Sequence, residues 1–275
     1  MADRPERVPA DEVRQRMLDA GRAIALEAGT SLTVDRLRLE EVIARAGVPR
    51  SSVYRLWAYK DDYIDDLLIY MAGPGSWFTN SEVFDPETFA IPRAVIAGNW
   101  HLAGTLEGRR AILCEVVRLA AARNYRALRE SPYWRMHNAL IATVGSSPAG
   151  EARDKIAVAL EHAQFQSRVS MLGLFGYLGT ALGLRARDPG RSIAHLTLAG
   201  GQLIQSLALR HLLAQAALPR TSEAADTDRL LNCAMPGPGI TGEPADWTLA
   251  AFGYLAIMDA FTELDPGFIP PDSPP

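Results

Sequence analysis

The amino-acid sequence predicts an all-α protein. Apolar residues recur mostly at spacings of three and four, as on one face of a helix, and few segments show the apolar–polar alternation of a strand. Hydrophobic residues make up 48% of the 275-residue chain and charged residues 22%, which is typical of a globular protein with a substantial core. We therefore expect helices through most of the chain.

The first quarter of the chain carries four helical patterns, at about 11–28, 39–46, 49–57 and from Lys60 onward. Gly47 separates the second pattern from the third, because glycine readily adopts the left-handed conformation that ends a helix. Pro49 is expected at the first position of the third helix, where its missing N–H costs nothing. Residues 30–38 are expected to form a connection.

Gly73-Pro74-Gly75-Ser76 is typical of a break between domains, so we predict one domain at 1–72 and another at 73–275. The second part has helical patterns at about 91–106, 109–130, 133–143, 150–186, 190–217 and 246–263. Residues 219–245 are expected to form a long connection with one short helix near 224–234.

Composition and charge narrow the classes of function. Cys114 and Cys233 lie far apart and form no metal-binding pattern, which favours a cytoplasmic protein. Residues 169–184 form the longest uncharged apolar stretch, which is shorter than a membrane span and is predicted to be a buried helix. The formal net charge of −4 excludes an evenly basic nucleic-acid coat but allows a local basic patch.

Such a patch lies at residues 44–60, which carry Arg45, Arg50, Arg55 and Lys60 and no acidic residue. Two short helices joined by a glycine turn, the second cationic and rich in hydroxyl groups, indicate a helix-turn-helix. The second helix of that motif enters the major groove of DNA with its N-terminal end first. Arg50 and Ser51 are therefore predicted to reach base edges, while the hydroxyl groups of Ser52 and Tyr54 face phosphates.

The stretch 46–61, AGVPRSSVYRLWAYKD, closely resembles the signature of tetracycline-repressor (TetR) family regulators. The likeness covers about residues 10–72, and Gly47, Tyr54 and Lys60 are identical to the signature. Pro49 replaces the usual capping serine, so the hydroxyl of Ser51 or Ser52 is expected to cap the helix. The resemblance implies phosphate contacts by Ser52, Tyr54 and Lys60, and positions near bases for Arg50, Ser51 and Arg55.

The resemblance also implies that the second part is a helical domain that forms a homodimer and binds a small organic effector. The candidate pocket residues are Trp100, His101, Cys114, Trp134, His137, Phe165, Met171 and Phe175. The candidate dimer residues are Leu196, Leu203, Leu207, His211, Tyr254, Leu255 and Met258. Four glycines at 173, 176, 179 and 183 suggest close approach by another helix or by a ligand.

The predicted function is a DNA-binding transcriptional regulator, a repressor that a small organic effector releases from a palindromic operator. The five histidines of the chain form no HExxH pattern, and the sequence contains no phosphate-binding glycine loop. No enzyme activity, metal or cofactor is therefore predicted. A regulator that needs no ligand is the alternative. An all-α enzyme is less favoured because these catalytic patterns are missing, and an adaptor protein is less favoured because it would not need an acid-free basic segment beside a glycine turn.

Overall fold

The computed structural model describes residues 9–27, 37–73 and 85–275. This part of the chain is mostly helical, as predicted, with eleven α-helices and four strands of three residues each. Most of the predicted connection at 30–38 and residues 74–76 of the predicted domain break lie outside the described residues.

In chain order the helices are α1 (Ala10–Glu27), α2 (Leu39–Ala46), α3 (Arg50–Leu56), α4 (Lys60–Ala72), α5 (Pro86–Gly98), α6 (Leu106–Glu130), α7 (Pro132–Ser146), α8 (Glu151–Leu182), α9 (Ile193–Ala217), α10 (Ser222–Asn232) and α11 (Leu249–Phe261). A short 3-10 turn covers Trp100–Leu102. The strands are β1 (Leu184–Ala186), β2 (Met235–Gly237), β3 (Ala245–Trp247) and β4 (Thr262–Leu264).

The chain forms two compact units. The first contains α1 to α4 together with Pro132–Gln164, and the second contains residues 85–131 and Phe165–Pro275. Residues 132–164 thus group with the N-terminal helices, although the sequence suggested a single boundary after residue 72. The reason is apolar burial, because Met136 and Leu140 belong to the same core as the buried side chains of α1 and α4. The division of function between two domains stays a prediction.

The first unit is organised around Tyr63 of α4, which is fully buried. Its hydroxyl donates a hydrogen bond to the Met17 carbonyl oxygen at 3.0 Å. Gly21 of α1 makes room for this ring, because a Cβ atom there would lie 2.1 Å from the Tyr63 hydroxyl and 3.0 Å from Leu67 Cδ2. α1 and α4 can therefore approach this closely only with glycine at position 21.

His137 of α7 is also buried in the first unit. Its Nε2 lies 2.7 Å from the side-chain nitrogen of Gln164, so a neutral ring can accept a hydrogen bond from that amide. Burial lowers the pKa of His137 from 6.5 to about 4. The imidazole is consequently neutral at physiological pH.

In the second unit α6 packs against α5, α9 and α11. Two antiparallel strand pairs accompany these helices: β1 pairs with β4, and β2 pairs with β3. The sequence did not predict these strands, because three residues are too few to display an alternating pattern. The facing pair of Arg185 and Glu263 forms an ion pair at 2.8 Å across the first ladder.

A buried arginine fastens the C-terminal segment to α6. The Arg109 side chain donates hydrogen bonds to the carbonyl oxygens of Asp265 and Phe268, at 2.8 and 3.2 Å, and its guanidinium lies 5.4 Å from the centre of the Phe268 ring. Gly183, with a φ of +73°, packs against the same ring, since a Cβ atom there would lie 2.4 Å from Phe268 Cγ. The segment after β4 is thus held by specific contacts.

The expected close approach is found at Gly179 and Gly183 but not at Gly173 and Gly176. No atom lies within 4 Å of a Cβ built at Gly173 or Gly176, whereas Gly179 faces a backbone oxygen at 3.1 Å. Residues 169–182 are helical, but Val169 and Leu172 are 45% and 38% exposed, so the prediction of a buried helix is wrong for this face. In the described part of the chain no helix has the length and apolar character needed to span a membrane.

We expect Gly21→Ala to destabilise the first unit by about 1–3 kcal/mol, because the added methyl group overlaps the Tyr63 hydroxyl. In a Tyr63→Phe background, which loses that hydroxyl, the same change should cost less. Urea denaturation of the two single variants and the double variant measures this coupling. Gly145→Ala is the control, because a Cβ atom at Gly145 would meet no neighbour within 4 Å. Additive effects of the two changes would contradict the proposed contact.

We also expect the free energy of unfolding to fall as the pH is lowered. Since the folded pKa of His137 is depressed to about 4, the unfolded chain binds a proton between pH 6.5 and 4 that the folded chain excludes. The contribution lost over this window is about 3 kcal/mol. Denaturation curves across the window should be less pH-dependent for His137→Gln, whereas exposed His162→Gln should behave like the parent. Parallel losses in parent and His137→Gln would exclude His137 as the cause.

Candidate nucleic-acid interface

The turn between α2 and α3 agrees with the prediction at Gly47 and departs from it at Pro49. Gly47 has a φ of 63° and a ψ of 36°, and its N–H donates to the Ile43 carbonyl oxygen at 3.1 Å. Pro49 precedes α3 and does not occupy its first helical position; its carbonyl oxygen accepts from the Ser52 and Val53 N–H groups. No side-chain hydrogen bond caps α3, so the expected cap by Ser51 or Ser52 is absent. Pro49, the residue before the helix, has an extended backbone.

One face of α3 is fixed by burial. Val53 is fully buried, and Trp57, which follows the helix, is 3% exposed. The Trp57 indole N–H donates to Asp66 Oδ2 at 2.8 Å, and its ring meets Tyr63 edge-on with the ring centres 5.2 Å apart. Asp66 also pairs with Arg14 of α1 at 3.0 Å. This seven-residue helix therefore takes its position from tertiary contacts at its C-terminal end.

The six predicted contact residues lie together on α3 and at the start of α4. Four of them are exposed and two are half-buried: Arg50, Ser51, Tyr54 and Arg55 in the first group, Ser52 and Lys60 in the second. Within the described part of the chain, neither the Arg50 guanidinium nor the Tyr54 hydroxyl forms a hydrogen bond or an ion pair. Both side chains can therefore reach a ligand without breaking an intramolecular bond.

Arg55 is arranged differently from Arg50. Its guanidinium folds back on α3 and donates to the Ser51 carbonyl oxygen at 3.3 Å and to the Ser52 hydroxyl at 3.2 Å. Both bonds are solvent-exposed, so water can replace them at little cost. The side chains of Arg55 and Ser52 are thus hydrogen-bonded to each other, whereas the sequence predicted a separate DNA contact for each of them.

The basic patch is smaller than the sequence suggested. Arg45 makes two hydrogen bonds to the Glu27 carboxylate, at 2.6 and 2.5 Å, which neutralise its charge locally. Glu27 lies 18 positions earlier, and its contact with Arg45 follows from the packing of α1 on α2. The positive charge on α3 itself is carried by Arg50 and Arg55.

Four aspartates of α4 adjoin this patch. Asp62 accepts a hydrogen bond from the Tyr59 N–H at 3.1 Å at the start of the helix, and Asp66 holds Trp57 and Arg14. Burial, followed by repulsion from Asp61 and other neighbouring aspartates, raises the pKa of Asp65. Asp62 thus stabilises the start of α4, and Asp66 connects this helix with Trp57 and Arg14.

The structure separates the eight candidate pocket residues. Met171 and Phe175 line a cavity in the second unit, whereas Cys114 is buried in that unit without lining it. The others do not line this cavity: Trp100 and His101 lie on the 3-10 turn, Phe165 is 52% exposed, and Trp134 and His137 belong to the first unit. The cavity is thus formed mainly by residues that the sequence did not single out.

Most of the candidate dimer residues are enclosed by their own chain. Five of the seven are buried and two are half-buried: Leu196, His211, Tyr254, Leu255 and Met258 in the first group, Leu203 and Leu207 in the second. Tyr254 and Met258 line the cavity. On α9 the large exposed apolar residues are Leu198, Leu209 and Leu213, which are 51%, 43% and 58% exposed. Any partner of α9 would therefore meet these leucines.

The described residues contain no group of three or more histidine, cysteine or acidic side chains arranged to hold a metal ion. Comparisons with known proteins add no assignment: no protein-family model matches the chain, and neither a curated protein nor a solved structure matches it.

Proposed function

We propose that this chain is a DNA-binding transcriptional regulator in which α2 and α3 form a helix-turn-helix. The observation that carries the proposal is the exposed group of Arg50, Ser51 and Tyr54 on a helix whose opposite side is buried through Val53 and Trp57. A rigid helix with outward cationic and hydroxyl groups suits the major groove. The sequence resemblance to TetR family regulators across residues 46–61 supports the same function.

The residues of this helix divide by the kind of contact they suit. Arg50 lies in the first turn and can donate two hydrogen bonds to guanine O6 and N7. Ser52, Tyr54 and Lys60 suit phosphate oxygens, which fix the position of the helix without reading sequence. Arg55 suits a base or a phosphate, because its exposed bonds to α3 are readily exchanged.

The proposal includes that the chain binds DNA as a homodimer. Two copies related by a twofold axis would present two α3 helices to successive major grooves and read a palindromic operator. The exposed leucines of α9 offer an apolar surface for this pairing. A small organic effector that binds the DNA-free form more tightly than the DNA-bound form would release the operator, which makes repression the default output.

We expect the purified chain to recover an inverted-repeat sequence from a library of random DNA duplexes. Arg50→Ala should then relax base preference at one position in each half-site at a cost of about 1–3 kcal/mol. Lys60→Ala should weaken binding to all sequences alike and lower the salt slope by about 1. Fluorescence anisotropy across a salt titration measures both effects.

Arg220→Ala is the matched control for these variants, because Arg220 is exposed but lies in the second unit. It should bind DNA like the parent. If Arg50→Ala and Lys60→Ala also bind like the parent at every salt concentration, α3 and the start of α4 are not the contact surface. If no sequence is enriched from the library, the proposed function itself fails.

We expect Leu209→Glu to convert the dimer to a monomer, because a carboxylate at a pair of facing apolar surfaces cannot be buried without a partner. Sedimentation velocity at several protein concentrations measures the change. Leu230→Glu on α10 is the control, since Leu230 is 58% exposed and outside α9. A parent that sediments as a monomer, or a Leu209→Glu variant that remains dimeric, would contradict the proposed use of this surface.

A further inference from the structure

A cluster of polar side chains lies at the junction of α6, α9 and α10 in the second unit. Its six members are Tyr125 and Arg129 of α6, His211 and Gln215 of α9, and Asp228 and Asn232 of α10. Asp228 Oδ1 accepts hydrogen bonds from the side-chain nitrogens of Gln215 and Asn232, at 2.6 and 2.7 Å. Arg129 donates to the side-chain oxygen of Asn232 at 3.1 Å. The cluster therefore fastens α10 to both longer helices.

The His211 imidazole is enclosed by this cluster. The residue is 5% exposed, and its Nδ1 atom forms no hydrogen bond within the described part of the chain. Asp228 Oδ1 lies 3.4 Å from Nδ1, but this oxygen already accepts the two shorter bonds. The Tyr125 ring meets the imidazole edge-on, with the ring centres 6.4 Å apart. A protonated His211 would therefore be buried away from water beside one carboxylate that does not hydrogen-bond to it.

Charges on two neighbouring helices act on His211 in opposite directions. Burial lowers the pKa of His211, Arg129 of α6 lowers it further, and the carboxylate of Asp228 opposes both effects only in part. The other ion pair of α10, between Asp226 and Arg229, is exposed at both side chains. The surroundings of the docked helix thus favour the neutral imidazole.

The titratable side chains of α11, which also packs against α9, have other contacts. Asp259 pairs with Arg110 of α6 through hydrogen bonds of 2.5 and 2.6 Å. The Tyr254 ring packs against Gly200, where a Cβ atom would lie 2.5 Å from Tyr254 Cε2. Arg129 and Asp228 are therefore the charged groups that act on His211.

α10 is held in place by few apolar side chains. Among its eleven residues the buried ones are Ala224 and Leu231, whereas Leu230 is 58% exposed. α11 has five buried residues among thirteen. Segments with few buried apolar contacts open at a lower cost in free energy than the core of a structure. We therefore expect α10 to open before α11.

We infer that His211 makes the docking of α10 sensitive to acid, so that uptake of a proton by the imidazole releases α10 from α9 and α6. In the docked state the charged ring is buried close to Arg129, whereas in the open state water hydrates it. The open state therefore binds the proton more readily, and a pH below the ordinary pKa of 6.5 shifts the balance toward that state. This response belongs to the second unit and does not depend on DNA binding.

Amide hydrogen exchange of the full chain tests the inference, when it is measured by mass spectrometry at pH 7 and pH 5 and corrected for intrinsic exchange rates. The amides of α10 should lose protection at pH 5 by up to about 25-fold, the limit that one proton with a free pKa of 6.5 sets over this range. The amides of α11 are the internal reference, because this helix belongs to the same unit. They should lose less protection than those of α10.

His211→Gln should keep the protection of α10 nearly equal at the two pH values, because an amide side chain takes up no proton. His101→Gln is the matched control, since His101 is an exposed histidine of the same unit. This variant should lose protection in α10 as the parent does. An NMR titration of the histidine side chains in the parent needs no folded variant, and it should show His211 titrating below pH 6.5.

Three results would overturn the inference. The first is an equal loss of protection in α10 and α11 of the parent at pH 5. The second is a His211→Gln variant whose α10 loses as much protection as that of the parent. The third is a His211 imidazole that titrates at or above pH 6.5 in the folded parent.

Discussion

The close approach of α1 and α4 at Gly21 is the constraint on which the first unit depends. The absence of a side chain at Gly21 lets the Tyr63 ring lie against α1 and donate to the Met17 carbonyl oxygen. Trp57 packs edge-on against that ring and is fastened to Asp66 of the same helix. Since Trp57 directly follows α3, the orientation of the candidate contact helix is inherited from a glycine some thirty residues earlier in the chain.

The helices and the local turn could be predicted from the sequence because their determinants are local. Spacing of apolar residues located α1 to α4 to within about two residues, and Gly47 adopts the predicted left-handed conformation. Contacts between distant positions could not be predicted in this way. The pairing of Arg45 with Glu27 and the grouping of residues 132–164 with the first unit both arise from tertiary packing.

The same limit explains why the cavity could not be predicted from the sequence. An apolar stripe shows that one face of a helix is buried but not what covers it, so the stripe of α11 was equally compatible with a second chain and with its own core. In the folded chain Tyr254 and Met258 face the cavity, with Met171 and Phe175 from α8. The lack of a hydrogen-bond partner for the Tyr254 hydroxyl could not be predicted either, because it becomes evident only once the surrounding helices are assembled.

The fastening of residues 265–268 to Arg109 bears on the order in which the chain can fold during synthesis. α6 is made early, yet the two terminal nitrogens of its buried Arg109 guanidinium donate to carbonyl oxygens 156 and 159 positions later. Until those residues leave the ribosome, the arginine must stay hydrated and the second unit cannot close around it. The last residue of the first unit is Gln164, so all of its residues leave the ribosome while the second unit is still being translated.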